Sequence, residues 1–301
     1  MTNNLLFGTS GVPHSSSLPT TESGIRRIAE LGLGCMEVAF VQGVRMSAEY
    51  AVRVGAVAKE AGVALSVHAP YYINFNSDDP LKIAASKQRL LQTARIAYLF
   101  GGVSAGFHAG FYMGRTPMEA YREIKSNVEE VLQQLQEEGN TLKLRPEIMG
   151  KLAQFGDLDE VLELCYDLPG LAPCIDFAHL HARTGEFNTY EEFVSVLERI
   201  KAVLGQEALK DMHIHVAGIH YGRRGERNHL ELDESDFRYL ELLQALHDYG
   251  AKGLIICESP NLEEDALMLQ KSHRVLRKKR TNPTARRVDI VRPDRLVIDR
   301  G

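Results

Sequence analysis

Six separate stretches of this sequence end in residues able to bind a divalent metal or to move a proton. They are Ser66-Val67-His68, Phe107-His108, Arg145-Pro146-Glu147, Cys174-Ile175-Asp176 with His179 three residues on, Met212-His213-Ile214-His215, and Cys257-Glu258. In each, an apolar run comes first and the ionisable residue closes it. A single His so placed is usually a hydrogen-bonded structural residue. Six placed alike are different, because that many imidazoles and carboxylates buried in one space need a compensating charge. A mixed nitrogen and oxygen donor set suits zinc, manganese or iron. His68, His108, Glu147, Asp176, His179, His213 and Glu258 are therefore the candidate metal ligands.

Such a gathering requires elements that converge. Eight short apolar runs fall at Leu5–Gly8, Cys35–Phe40, Ala64–His68, Gly102–His108, Thr141–Glu147, Leu171–Asp176, Leu209–His215 and Gly253–Glu258. Between and after them lie segments with helical periodicity, opened by Ser, Thr, Asp or Asn and mostly closed by Gly, the usual start and stop signals. Near-continuous apolar strands alternating with helices predict a parallel sheet covered on both faces. Eight repeats predict an α/β fold, a closed (β/α)8 TIM barrel, whose strand ends meet on one rim. No GxGxxG or GxxxxGK[ST] follows the first strand, which argues against a nucleotide-binding open sheet. The expected organisation is one barrel over 1–270, then the end of the last helix and a basic, flexible C-terminal tail over 271–301.

Composition is that of a globular chain, with 301 residues, 44% hydrophobic and 25% charged. Its net charge of -5 is uneven: 271–301 holds eleven Lys/Arg against three Asp, leaving 24 against 37 acids before it. The tail is thus either an arm for phosphates or a solvated end. Cys35, Cys165, Cys174 and Cys257 lack CxxC spacing and read as buried thiols in a reducing compartment. No leader and no membrane-length apolar run stands out, so a soluble, cytoplasmic monomer is expected, without membrane partners.

Other residues are secondary candidates. His181 and His215, each two residues beyond a better-placed ligand, are read as orienting groups. The stretch Gly218–His229 is read as a loop over the mouth, and its Arg223, Arg224 and Arg227 suit an anionic substrate. Lys151 is either a phosphate contact or simply exposed, and His14, His247 and His273 read as surface residues.

Taken together, Ser66-Val67-His68-Ala69-Pro70-Tyr71, Phe107-His108-Ala109-Gly110, Ile175-Asp176-Phe177-Ala178-His179, Met212-His213-Ile214 and Cys257-Glu258-Ser259-Pro260 resemble the endonuclease IV family. This is the second family of apurinic/apyrimidinic endonucleases, within the xylose-isomerase-like TIM barrels. The resemblance covers about residues 5 to 270. It implies a zinc-dependent DNA repair enzyme, holding two or three Zn2+ per chain, that cleaves DNA on the 5′ side of an abasic nucleotide. His68 and His108 would hold one zinc, Glu147 would bridge to a second served by Asp176, His213 and Glu258, and His179 would serve a third. Glu147 and Glu258 would be the catalytic carboxylates, and Tyr72 a wedge into the base stack. Where that family carries Asp-x-His, this chain reads Glu226-Arg227-Asn228-His229, one residue longer, which makes Glu226 and His229 the third-site candidates. The alternative is a sugar or sugar-phosphate isomerase or epimerase on the same barrel, using Glu147, Asp176, His213 and Glu258 to hold one Mn2+ or Mg2+.

Overall fold

The computed structural model describes residues 4–281. Its strands are β1 (Leu5–Ser10), β2 (Cys35–Ala39), β3 (Ala64–His68), β4 (Ser104–Phe107), β5 (Lys143–Pro146), β6 (Cys174–Asp176), β7 (Met212–Val216), β8 (Gly218–Gly222), β9 (Gly225–Leu230) and β10 (Gly253–Cys257). All but β8 and β9 form one parallel sheet in the order β5-β4-β3-β2-β1-β10-β7-β6. Its two edges approach each other. Single bridges join Leu144 to Leu171 and Glu147 to Cys174, and Ile148 N donates to Cys174 O at 3.1 Å. The sheet is a nearly closed (β/α)8 barrel.

Nine α-helices follow among the described residues: α1 (Thr21–Glu30), α2 (Ala48–Ala61), α3 (Pro80–Leu99), α4 (Pro117–Glu137), α5 (Leu158–Asp167), α6 (Phe177–Thr184), α7 (Tyr190–Leu204), α8 (Tyr239–Asp248) and α9 (Glu263–Thr281). Local chemistry sets their ends. Thr116, Asp157 and Thr189 each form a capping box with the Glu three residues on. Ser47 caps α2, and Gly62, at φ 68°, closes it in the left-handed conformation that suits glycine.

Three features depart from the sequence expectations. The stretch after β7 is an antiparallel hairpin, β8–β9, rather than a loop, and a short helix, α6, follows β6 directly. His273 is buried rather than on the surface, because it lies on the face of α9 that packs on β1, its ring centroid 5.4 Å from that of Phe7. Helix α9 carries the chain through Thr281, and the basic tail beyond it lies outside the described residues. All four cysteines are buried free thiols. No described helix is long and apolar enough to cross a membrane.

Candidate metal centre

The strand ends deliver a compact set of donors around Glu147, the first residue past β5. Its Oε2 lies 2.8 Å from His68 Nε2 and 3.4 Å from His108 Nε2, and its Oε1 lies 3.2 Å from His179 Nδ1 and 3.5 Å from His215 Nδ1. His68 is held from behind, with Nδ1 2.8 Å from Ala69 O. The rings of His68 and His108 meet edge to face, and Tyr71 leans on both.

Asp176 shows why Asp-x-x-His is a working spacing. It is the N-cap of α6, and its Oδ1 accepts from the backbone N of His179 at 2.7 Å. That bond fixes the carboxylate and starts the helix that aims His179 into the same space. Oδ2 then faces His179 Nδ1 at 3.3 Å and, among the described residues, has no hydrogen-bond partner, nor has buried His215 Nδ1. Two such buried atoms close together are costly unless something neutralises them.

At this level the structure places His215 beside Asp176, while His213 groups with His215 and Cys174. In β7 both histidines face the barrel interior, since side chains alternate with a period of two. Register separates them: His215 pairs with Asp176, whereas His213 pairs with Cys174, one layer deeper. Ligand atoms of Glu147, Asp176, His215 and Glu258 all lie within 4.8 Å of one another. His213 instead sits 3.0 Å from Ser104 Oγ and 2.9 Å from Glu37 Oε2.

Glu37 is the residue that sequence reasoning missed. Fully buried on β2, it accepts from Ser66 Oγ at 2.8 Å and approaches both His213 and His215. A carboxylate inside the apolar run Cys35-Met36-Glu37-Val38 was the available signal, because a buried charge requires partners.

A second cluster joins Asp176, His179 and His229. The Nε2 atoms of His179 and His229 are 3.2 Å apart, and Glu226 Oε2 lies 3.5 Å from His179 Nε2. Alternation would put Glu226 and His229 on opposite faces of β9. The ladder shifts register between His220 and Tyr221, pairing His220 with Asn228 but Tyr221 with Glu226, so Arg227 is the extra residue of a bulge. The bulge absorbs the added residue of Glu226-Arg227-Asn228-His229 and brings both donors to one face. Arg227 is left outside, exposed with Arg223 and Arg224 at the turn. The hairpin tip is pinned to the barrel, Glu226 N donating to Gly150 O at 3.0 Å. Lys151 Nζ, half-exposed, stands 3.9 Å from Glu226 Oε1. His181 braces the hairpin, stacked edge-on against Tyr221 and 3.4 Å from Asp236.

Charges in the centre shift one another strongly. Burial would raise the Glu147 carboxyl, but the charges of His215 and His108 outweigh it and hold it well below the usual range. Burial pushes Asp176 up to about 6 against the pull of His179. For His179, burial is overcome by Asp176, Glu147 and Glu226, and its pKa rises to about 10. Burial lowers His108, despite Glu147. The donors thus fit a divalent cation: clustered oxygens and imidazole nitrogens, two of them unpartnered, with no thiol among the Glu147 or His229 groups.

Residues 25–279 match the profile of the xylose isomerase-like TIM barrel family. The chain belongs to that family. It is 45% identical over 275 residues to an uncharacterised protein of Methanocaldococcus jannaschii, covering 90% of this chain and 98% of the relative. It is 29% identical over 203 residues to a probable endonuclease 4 of Mycoplasma genitalium, covering 65% and 67%. Two solved structures share the fold. A D-tagatose 3-epimerase-like protein matches with TM-score 0.71 at 18% identity, covering 93% of this chain and 100% of that one. Endonuclease IV of Thermus thermophilus matches with TM-score 0.67 at 20% identity, covering 92% and 99%. These likenesses show the shared barrel, a fold that hosts many chemistries.

Proposed function

We propose that this chain is a zinc-dependent phosphodiesterase that hydrolyses the DNA backbone at abasic sites. The observation that carries the reading is the crowding at Glu147, whose carboxylate has four imidazoles within 3.5 Å. A single-ion site built from Glu147, Asp176, His215 and Glu258 has use for one. His68 and His108 with Glu147 would hold one ion, the four-residue set a second, and His179, His229 and Glu226 a third. The relative named as a probable endonuclease 4 supports the same reading.

Bound there, zinc would polarise phosphoryl oxygens and lower the pKa of a bound water towards neutrality. The chain's own residues do the rest. Glu147, held ionised, aligns the imidazoles around it. Glu258, its side chain partly open to solvent, orients an attacking water and accepts its proton. Arg223, Arg224 and Arg227 border the mouth on the hairpin and meet phosphates, with Lys151 beside them. Tyr72, 65% exposed on the rim, stacks into the gap left by a missing base.

A duplex with one abasic site tests this directly. Cleavage should occur on the 5′ side of the site, stop with chelator, return with zinc and fall sharply in His108→Ala. Absence of cleavage with zinc, manganese or magnesium would overturn the assignment. The four-residue group alone favours a second reading, a one-metal sugar epimerase or isomerase. That reading requires one ion per chain, Mn2+ or Mg2+, and a metal count unaffected by His68→Ala.

A further inference from the structure

We propose that Glu37 is a positioning residue that holds His215 with Nδ1 turned toward Glu147 and Glu258. The inference rests on the reading of this centre as a metal site, and concerns a residue outside the ligand set.

Glu37 is fully buried, and among the described residues its ion-pair contacts are His213 and His215. The contacts are divided between its two oxygens. Ser66 Oγ donates to Oε2 at 2.8 Å and His213 Nε2 lies 2.9 Å from the same oxygen. Oε1 is left facing His215 Nε2 at 3.0 Å. His213 is fixed in turn, its Nδ1 3.0 Å from Ser104 Oγ across the barrel. Ser66 and His213, the latter steadied by Ser104, thus both engage Oε2 and leave Oε1 for one ring nitrogen.

The consequence follows from imidazole chemistry. A neutral ring carries its proton on one nitrogen and a lone pair on the other. With an ion at Nδ1, a carboxylate at Nε2 keeps the ring's single proton there and leaves the Nδ1 lone pair to the ion. In this structure Nδ1 lies 3.5 Å from Glu147 Oε1 and 3.6 Å from Glu258 Oε2.

The test uses the full chain carrying Glu37→Gln or Glu37→Ala, with zinc affinity measured by chelator competition and unfolding followed on metal-free protein. The affinity for the ion that His215→Ala removes should fall about 10- to 100-fold, as for loss of other outer partners of a metal-bound His. Glu37→Gln should lie near the lower end, since its amide oxygen still faces Nε2. Metal-free Glu37→Gln should unfold somewhat earlier than the parent, because the amide leaves His213 and His215 without their buried carboxylate. Unchanged affinity with a lowered metal-free Tm would overturn the proposal and leave Glu37 a core polar group. Zinc-loaded wild-type protein with 15N-labelled histidine gives a readout that needs no variant: the His215 Nε2–H tautomer is expected, and an Nδ1–H tautomer overturns the idea. If the wild type binds no ion, the metal centre itself fails. If wild type and Glu37→Gln bind equally tightly, only the role of Glu37 fails.

Discussion

Gly150 and Glu226 touch so closely that a Cβ added to Gly150 would lie 2.6 Å from Glu226 Cβ and 3.1 Å from His179 Cδ2. The missing side chain on the barrel is what lets the hairpin carboxylate reach His179. Gly150→Ala is compatible with its backbone yet must push the hairpin away, since a Cβ cannot rotate aside. The variant should lose one zinc per chain by elemental analysis while the others stay, and cleavage should drop about 10- to 100-fold. A full metal complement in Gly150→Ala would show that Glu226 is not a ligand.

His213 and His215 differ in depth alone, and their alanine variants should differ in kind. His215→Ala removes a donor and should cost more than about 100-fold in cleavage, beyond what an outer partner contributes. His213→Ala opens a cavity beneath it and should cost roughly 2–4 kcal/mol of stability, as large-to-small changes in a packed core do. Its ion count should match that of the parent. Urea denaturation and elemental analysis together separate the two cases, and equal metal loss in both would contradict the layering.

The barrel was legible in the sequence because its eight strands and the helices outside them, α6 apart, announced themselves through period and caps, and the structure moves most ends by a residue or two. The rim was legible for the same reason, as His68, His108, Glu147, Asp176 and Glu258 each close an apolar run, with His179 three residues past Asp176. What stayed hidden depended on register. Alternation marks His213 and His215 as equally inward, and only the pairing of His215 with Asp176 ranks them. The bulge at Arg227 was likewise out of reach, because spacing alone does not tell an extra residue from a broken motif. Glu37 was visible as a charge in a strand, but its partners lie 29 to 178 residues away along the chain.

Tyr71 and Tyr72 should separate binding from assembly of the centre. Tyr71 packs on His68 and His108, whereas Tyr72 is the more exposed, and its carbonyl accepts from Arg89 Nη1 at 3.1 Å. Stacking of a base on an aromatic ring is worth about 1–3 kcal/mol by alanine substitution. Tyr72→Ala should therefore weaken binding of an abasic duplex by roughly 5- to 150-fold with the metal content unchanged. Fluorescence anisotropy at fixed salt reads this, and equal affinity for both proteins would remove Tyr72 from the interface.

His273 gives the fold a pH dependence independent of the metal centre. Burial, then the neighbouring His247 and Arg277, lower its pKa to about 4 from the ordinary 6.5. Between these values the unfolded chain binds a proton that the folded chain refuses. Stability is therefore whole above about 6.5 and is lost as pH falls toward 4. One pKa unit corresponds to about 1.4 kcal/mol, so the full shift would give roughly 3 kcal/mol. Solvent screening on the open flank of the ring reduces this to about 1–2 kcal/mol. His273→Phe keeps a ring against Phe7 but cannot titrate. In chelator, urea denaturation at pH 6.8 and pH 4.5 should show the variant losing about 1–2 kcal/mol less than the parent over that interval. Parallel losses in the two proteins would mean that His273 is as free to protonate in the fold as out of it.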